Sequence, residues 1–482
     1  MSALHLSDLV RKDLSVDPVI TGVTADSRKA GPGTLFAALP GTAADGRAFI
    51  PQALTQGAAA VLAPTDTPGD VAPVLVRSGD VRRAYALAAK AFYGAQPRTC
   101  VAVTGTNGKT SVATFCRQIW TRIGHKAASM GTLGVVAGTE ALTGPGLTSP
   151  DAAEAARLMA ELAGRGVTHL CLEASSHGID QRRLDGVTLQ AAAFTNLSQD
   201  HLDYHGDMDA YRDAKLRLFE QLLPRGRTAV LNADSDGYGP FASASLMSGL
   251  SLFSVGERGR NLSLYSRQAV PEGQRLKVEA DGKLYDLLLP LAGAFQASNA
   301  MVAAGLCVAA GDKADKVLEA LEHIEGAQGR LQRIGAGPKG GEAYVDYAHT
   351  PDGLQTVLEA LRPHATGKLI VVFGAGGDRD QGKRPLMGAI AAKYADVAIV
   401  TDDNPRSEDA AAIRKAIIAT RSGMREIGDR KAAIGEAVAS LRQGDVLVVA
   451  GKGHEQGQIV GETVYPFDDA TEVANALKGE TA

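Results

Sequence analysis

VAVTGTNGKTSVATF, residues 101–115, runs from an apolar strand pattern through a glycine-rich turn into a helical pattern. Such a turn points backbone N–H groups and the positive end of a helix at one spot, which is what a polyphosphate requires. Gly105, Thr106, Asn107 and Gly108 make the turn, Lys109 meets phosphate charge, and the Thr110 hydroxyl reaches Mg2+, with Ser111 beside it. The strict phosphate-loop spacing asks for glycine five residues before Gly108, and Val103 stands there. The plain alternative is a strand-to-helix turn that leaves its lysine in solvent. The strand before and the helix after favour a nucleotide site.

Working outward, THLCLE (168–173) and AAAFTN (191–196) alternate with helical patterns, which predicts a mainly parallel sheet. Before it lie the linker-like YGAQPRTC (93–100) and a smaller block. There LFAAL (35–39) and AAAVLA (58–63) read as short strands around a helix near FIPQALTQG (49–57), with loops GPG and GTAADGR. Beyond GAQGRLQRI (326–334), helical segments separate YVDYAH, LIVVFGAGG, VAIVTDDNP and VLVVAGKGH, the pattern of a doubly wound sheet. The expected fold is α/β in three domains. Residues 1–95 form a small mixed block, 96–328 a central P-loop-ATPase-like sheet, and 329–482 a Rossmann-like doubly wound domain.

Composition bounds the function. With 482 residues at roughly 150 per domain, three cores are affordable, and 45% apolar with 22% charged residues is ordinary for globular chains. A net charge of -4 carries no footprint for nucleic acid. Cys100, Cys116, Cys171 and Cys307 are widely spaced without a CxxC pair, which argues against a metal cluster or disulfide framework and suits a reducing cytoplasm. The N-terminus lacks a signal-peptide pattern and no apolar run reaches a membrane span, so a soluble cytoplasmic protein is expected.

Glu173 ends THLCLE, and an acid at the C-terminal end of a parallel strand lies where ligands bind, placed to hold Mg2+. Capping the next helix or pairing with arginine is the alternative. After Gly206 the helical pattern gathers Met208, Tyr211, Leu218, Phe219 and Leu222 on one face, and Lys215 falls in the same stripe. Two outcomes are open to that lysine. It snorkels to water, or desolvation lowers its pKa and the neutral amine adds CO2, giving a carbamate able to bind metal alongside a neutral His201. Ser175 and Ser176 beside His177 do not amount to a triad, since adjacency in sequence is not triad geometry. In TDDNPRSED (401–409), Asn404 precedes Pro405 and is biased to extended geometry, which aims Arg406 back over the strand ends. A guanidinium there matches a carboxylate with two parallel hydrogen bonds. A turn whose arginine caps a helix carbonyl is the bland reading.

TGTNGKTS, EASSHG, TNLSQDHLDYHGDMDAYRDAK, GRLQ, DYAHTPD, GAGGDRDQGKRPLMG, DNPR and GKGHE occur in the order found in the Mur ligases. DSR (26–28) and ADGR (44–47) also resemble that family's uridine-nucleotide loops. The resemblance covers nearly the whole chain and is greatest to the members that add the third residue of the cytoplasmic peptidoglycan precursor.

The resemblance implies that Gly105 to Ser111, with Asn299, Arg330, Asp346 and His349, bind ATP. It implies that Thr110 and Glu173 hold one Mg2+, and that Glu173, His201 and carbamylated Lys215 hold a second. Ser27, Arg28, Asn107, Thr148, Ser149, Ser175, Gln181 and Arg183 would meet UDP-MurNAc-L-Ala-D-Glu. Arg379, Asp403, Asn404, Arg406, Gly451 and Glu455 would meet meso-2,6-diaminopimelate. The chain departs from the family pattern at Gln296, where asparagine is usual, at Ser149 in LTSPD, and at Arg47, where histidine is frequent. The implied reaction phosphorylates the D-Glu carboxylate with ATP, after which the incoming amine displaces phosphate. A monomer without nucleic-acid or membrane partners is expected. The alternatives are a lysine-adding relative, a folylpolyglutamate-synthase-like ligase, and a nucleotide-binding regulator without catalysis.

Overall fold

The structure, a computed structural model, describes residues 4–41, 44–270, 272–419 and 423–479. Thr42 and Ala43 of the expected loop GTAADGR lie outside the described residues. Two compact units divide the chain: Met1–Asn261 with Val302–Lys313, and Leu262–Met301 with Ala314–Ala482.

The first unit opens with a four-stranded parallel sheet in the order Gly22–Thr24, Thr34–Ala37, Ala60–Pro64, Leu75–Ser78. The two inner strands are the expected ones. The outer two, of three and four residues, were not expected. Helix Val81–Tyr93, capped by the Asp80 carboxylate, packs Tyr85, Ala86 and Ala89 against Ala152, Ala153 and Ala156 of helix Ala152–Gly164. Small side chains on both helices permit this close approach. They also join the first block to the central sheet's helices through a shared apolar cluster.

The central sheet runs Ala127–Gly131, His169–Glu173, Thr99–Thr104, Ala191–Phe194, Thr228–Asn232, Ser251–Gly256, all parallel. Thr99–Thr104 is buried at every residue, as a strand covered on both faces must be. The chain returns on both sides of this strand, so the crevice beyond its C-terminal end is a topological switch point. TGTNGKTS and Glu173 both emerge there.

The second unit begins with an antiparallel meander, Leu262–Val270, Gly273–Ala280 and Lys283–Leu289, which the sequence reading did not anticipate. Its doubly wound sheet has the order Gln332–Ala336, Glu342–Asp346, Val446–Ala450, Leu369–Phe373, Val397–Val400, Arg425–Glu426, with the first strand antiparallel. Apolar layers cover both faces. The loops after Asp346, Phe373, Val400 and Ala450 therefore share one edge. Arg430 ties two of them, donating from Nη1 to Asp402 O at 3.3 Å and from Nη2 to Ala450 O at 3.0 Å, while Nε and Nη2 each donate to Asp469 at 2.7 Å. Both side chains of this ion pair are fully buried. Asp469→Asn leaves a buried cation uncompensated and is expected to cost about 3–5 kcal/mol, read by urea denaturation. Among the described residues no helix is long and apolar enough to cross a membrane.

Candidate active site

The phosphate turn is built by close approach of two backbones. Gly105 sits at φ 149, and a Cβ there would lie 1.9 Å from Thr195 Oγ1. Thr106 N donates to Asn196 O at 2.9 Å and Asn107 N to Asn196 Oδ1 at 3.0 Å. Gly108, at φ 90, then starts helix Lys109–Arg122, so Lys109, Thr110 and Ser111 form its first turn. Lys109 Nζ donates to Gly105 O and Thr106 O, both at 2.8 Å.

Glu173 is 3% exposed, and its carboxylate accepts from Thr110 Oγ1 at 2.9 Å and from Thr132 N at 2.9 Å. This pairing places hard oxygen donors, a hydroxyl and a carboxylate, at the first turn of a phosphate-type helix, which fits Mg2+. Thr132 was not foreseen. It also reaches Thr148, Oγ1 to Oγ1, at 2.9 Å.

Lys215 does not snorkel. On helix Met208–Arg217 it is 1% exposed, its Nζ donates to Gly105 O at 3.1 Å and lies 4.2 Å from the centroid of the Tyr211 ring. Burial and the neighbouring Lys109 hold its pKa well below the ordinary lysine range. Two lysines thus donate to the one Gly105 carbonyl, and the buried one favours its neutral form. A neutral amine is what carbamate formation requires. His201 adopts left-handed backbone at φ 53; its ring lies 6.3 Å from that of Tyr211 and edge-on to His177 at 4.8 Å. The same tyrosine ring therefore faces both proposed metal-binding side chains.

The remaining residues expected to meet the sugar-peptide form a connected chain. Ser149 Oγ donates to Glu173 O at 2.9 Å and contacts Ser175 Oγ at 3.0 Å. Arg183 donates to Ser149 O and to Gln181 Oε1, each at 2.7 Å, and Gln181 Nε2 to Tyr204 OH at 3.2 Å. Further out in the same unit, Ser27 and Arg28 line an open cavity of about 910 Å³ with Phe49 and Gln52. Ser27 donates to Gln52 at 2.7 Å, whereas Arg28 is mostly exposed and paired to Asp26. Arg47 is held by Asp45 and Asp66.

In the second unit, Asn299 Nδ2 donates to Gln296 Oε1 at 3.3 Å and Gln296 Nε2 to Arg330 O at 2.8 Å. The family departure at Gln296 thus still serves to orient its neighbours. The Arg330 guanidinium lies 4.9 Å from the Tyr347 ring centroid. Asp346 accepts from Leu331 N at 2.6 Å and Ala348 N at 2.7 Å, and its burial raises its pKa. His349 is kept toward its neutral form by desolvation.

Asp403 and Asn404 are buried, Arg406 and Glu455 half-buried, and Arg379 exposed. Asn404 Nδ2 donates to Glu455 Oε2 at 2.9 Å, while Lys452 Nζ, fully buried, donates to Asn404 Oδ1 at 2.9 Å and Glu455 Oε2 at 3.3 Å. Gly451, at φ 119, admits Asp403, whose Oδ2 would lie 2.7 Å from a Cβ there. Lys452 was missed although GKGHE had been singled out; nothing in that motif says where its lysine points. Arg406 is not held by Pro405 alone. It sits at φ 52, its N donates to Ile459 O at 3.1 Å, and Gly461 N donates to its carbonyl at 2.7 Å, so the hairpin Gly457–Val460/Thr463–Pro466 clamps the loop. Its Nη1 donates to Gly377 O at 2.8 Å, a loop carbonyl and not a helix end.

Residues 19–96 match the description "Mur ligase family, catalytic domain", 103–307 "Mur ligase middle domain", and 329–453 "Mur ligase, glutamate ligase domain". The chain is 67% identical, over 99% of both chains, to the UDP-N-acetylmuramoyl-L-alanyl-D-glutamate–2,6-diaminopimelate ligase of Caulobacter vibrioides. A solved structure of a ligase of the same name matches with TM-score 0.76 and 31% identity over 99% of each chain. A folylpolyglutamate synthase of Mycobacterium tuberculosis, complexed with ADP, matches 77% of this chain and 91% of its own, with TM-score 0.61 and 20% identity, a likeness of fold alone.

Proposed function

The chain belongs to the Mur ligase family, and from that premise we propose that it joins meso-2,6-diaminopimelate to UDP-MurNAc-L-Ala-D-Glu at the expense of ATP. The observation that carries this reading is full-length identity of 67% to a ligase so named, together with the intact DNPR and GKGHE loops. We also propose that it works in the cytoplasm as a monomer. Residues 1–95 would bind the uridine nucleotide, 96–328 ATP, and 329–482 the incoming amino acid.

A carboxylate is a poor electrophile, so the D-Glu carboxylate first accepts the γ-phosphoryl group of ATP, releasing ADP. The resulting acyl phosphate is attacked by the neutral amine of the diamino acid, and the tetrahedral intermediate expels phosphate. Gly105 to Ser111 would cradle the phosphates, and the Lys109 ammonium would stabilise the charge that accumulates on the group in transfer. Thr110 and Glu173 would hold Mg2+, with His201 and carbamylated Lys215 at a second ion; such ions neutralise phosphate charge as Lewis acids. No side chain acts as a nucleophile in this scheme. Asn299, Arg330, Asp346 and His349 are proposed to contact the nucleotide. Thr148, Ser149, Ser175, Gln181, Arg183, Asn107, Ser27 and Arg28 are proposed to contact the sugar-peptide.

For the amino acid, Glu455 is proposed to accept an ammonium and Arg406 to grip a carboxylate, with Arg379, Asp403, Asn404 and Gly451 completing the pocket. Lys452→Met keeps the stem but removes the donor shared by Asn404 and Glu455. It is expected to raise KM for diaminopimelate about tenfold or more, since hydrogen bonds to charged groups are worth about 1.5–3 kcal/mol. KM for ATP should not move. The test of the function itself is phosphate release with ATP, Mg2+ and the UDP-dipeptide. Release that needs diaminopimelate supports the ligase. Release with neither amino acid, or none with both, removes it.

A further inference from the structure

His169 is the first residue of the strand that ends in Glu173, so it lies at the opposite end of the sheet from the phosphate turn, about 13 Å away at about 3.3 Å per residue. Around it the first unit assembles a group that the ligase chemistry does not use. His125 follows helix Lys109–Arg122, and Asp312 comes from the Val302–Lys313 segment. One donor atom from each of His125, His169 and Asp312 lies within 4.8 Å of the other two. His125 Nε2 is 2.8 Å from Asp312 Oδ1, and the two imidazoles stack at 3.9 Å between centroids.

Each inner ligand is already oriented from behind. The Trp120 indole donates to Asp312 Oδ2 at 2.9 Å, and Thr168 Oγ1 pairs with His169 Nδ1 at 2.9 Å. That leaves Asp312 Oδ1 and His169 Nε2 as the atoms to converge with His125 Nε2. Outer hydrogen bonds of this kind set the tautomer and direction of metal ligands. Arg98 is the adverse charge nearby, and the Asp312 carboxylate opposes it.

We propose that His125, His169 and Asp312 form a structural site for a borderline transition dication of the Zn2+ class. Two imidazole nitrogens and one carboxylate oxygen are the donor set such ions select over Mg2+. A tetrahedral ion with bonds of about 2.0–2.1 Å spaces its ligands about 3.3 Å apart; His125 and Asp312 lie 2.8 Å apart and all three donor atoms lie within 4.8 Å of one another. The ion takes the place of the proton between His125 Nε2 and Asp312 Oδ1, which leaves to solvent. The ion would pin the end of helix Lys109–Arg122 to the sheet and to the Val302–Lys313 segment.

Trp120 is the sole tryptophan of the chain and touches a ligand, so its fluorescence reports on the site. The full-length protein is titrated with Co2+ in millimolar Mg2+, which occupies the oxygen-rich catalytic site. The expected result is saturable quenching at one Co2+ per chain, reversed by Zn2+ but not by further Mg2+. His125→Gln alters a partly exposed side chain and should weaken Co2+ binding at least about tenfold while ligation in Mg2+ is retained. Metal content after dialysis against Zn2+ should fall by one ion per chain in the same variant and in Asp312→Asn. Quenching absent in the wild type, or as strong in His125→Gln, overturns the site, whatever the fate of the ligase assay.

Discussion

Lys215→Ala is expected to lower the ligation rate by at least about 10²–10³-fold, the range seen when one preorganised group is removed from a transition state. The side chain is 1% exposed and its amine favours the neutral form, so in the proposed mechanism it contributes a carbamate anion and not a cation. A short carboxylate such as acetate, entering the space left by the side chain, should restore part of the lost rate. Phosphate release with and without acetate measures this, and a variant as active as the wild type removes the carbamate from the mechanism. The same burial has a cost for the fold. In CO2-depleted enzyme burial favours the neutral native amine, whereas the unfolded lysine holds a proton until about pH 10.4. Between the depressed native pKa and that value the unfolded chain binds more protons, so stability rises with pH across the window. Lys215→Met removes this penalty. It is expected to melt higher than the CO2-depleted wild type, with a weaker pH dependence, while remaining inactive.

The second large effect concerns the choice of amino acid. The wild type is expected to favour meso-diaminopimelate over L-lysine by at least about 10²-fold in kcat/KM. Lysine lacks the distal carboxylate, and a site built to pair that group then leaves its guanidinium unmatched. Arg406→Ala should remove most of the preference by losing turnover with diaminopimelate without gaining it with lysine. Arg406→Lys keeps the charge but not the planar fork, and should fall between. Because the backbone at 406 is clamped to Ile459 and Gly461, the loop should keep its place in these variants. Equal rates with both amino acids in the wild type would sink this reading of Arg406.

The presence of a buried lysine could be read from helical periodicity, since Lys215 falls in step with Tyr211 and Phe219. The phosphate turn was legible from its glycines, because Gly105 and Gly108 both take positive φ and the 1.9 Å approach to Thr195 excludes a side chain at Gly105. The antiparallel meander of the second unit was not read, and neither were the short outer strands of the first block. Gly22–Thr24 has three residues, less than two periods of side-chain alternation.

The amino-acid sequence by itself determined the α/β class, the strand–turn–helix that opens the nucleotide site, and the motif order that led to the family. These depend on neighbours along the chain, where turn stereochemistry and side-chain period act over a few residues. Only the tertiary structure decided that Thr132 reaches Glu173, that Lys452 joins Asn404 to Glu455, and that Asp312 meets a histidine 187 positions away. Such meetings follow from strand order and crossover connections, which place side chains remote in sequence at one end of a sheet. Local periodicity carries no information about that order.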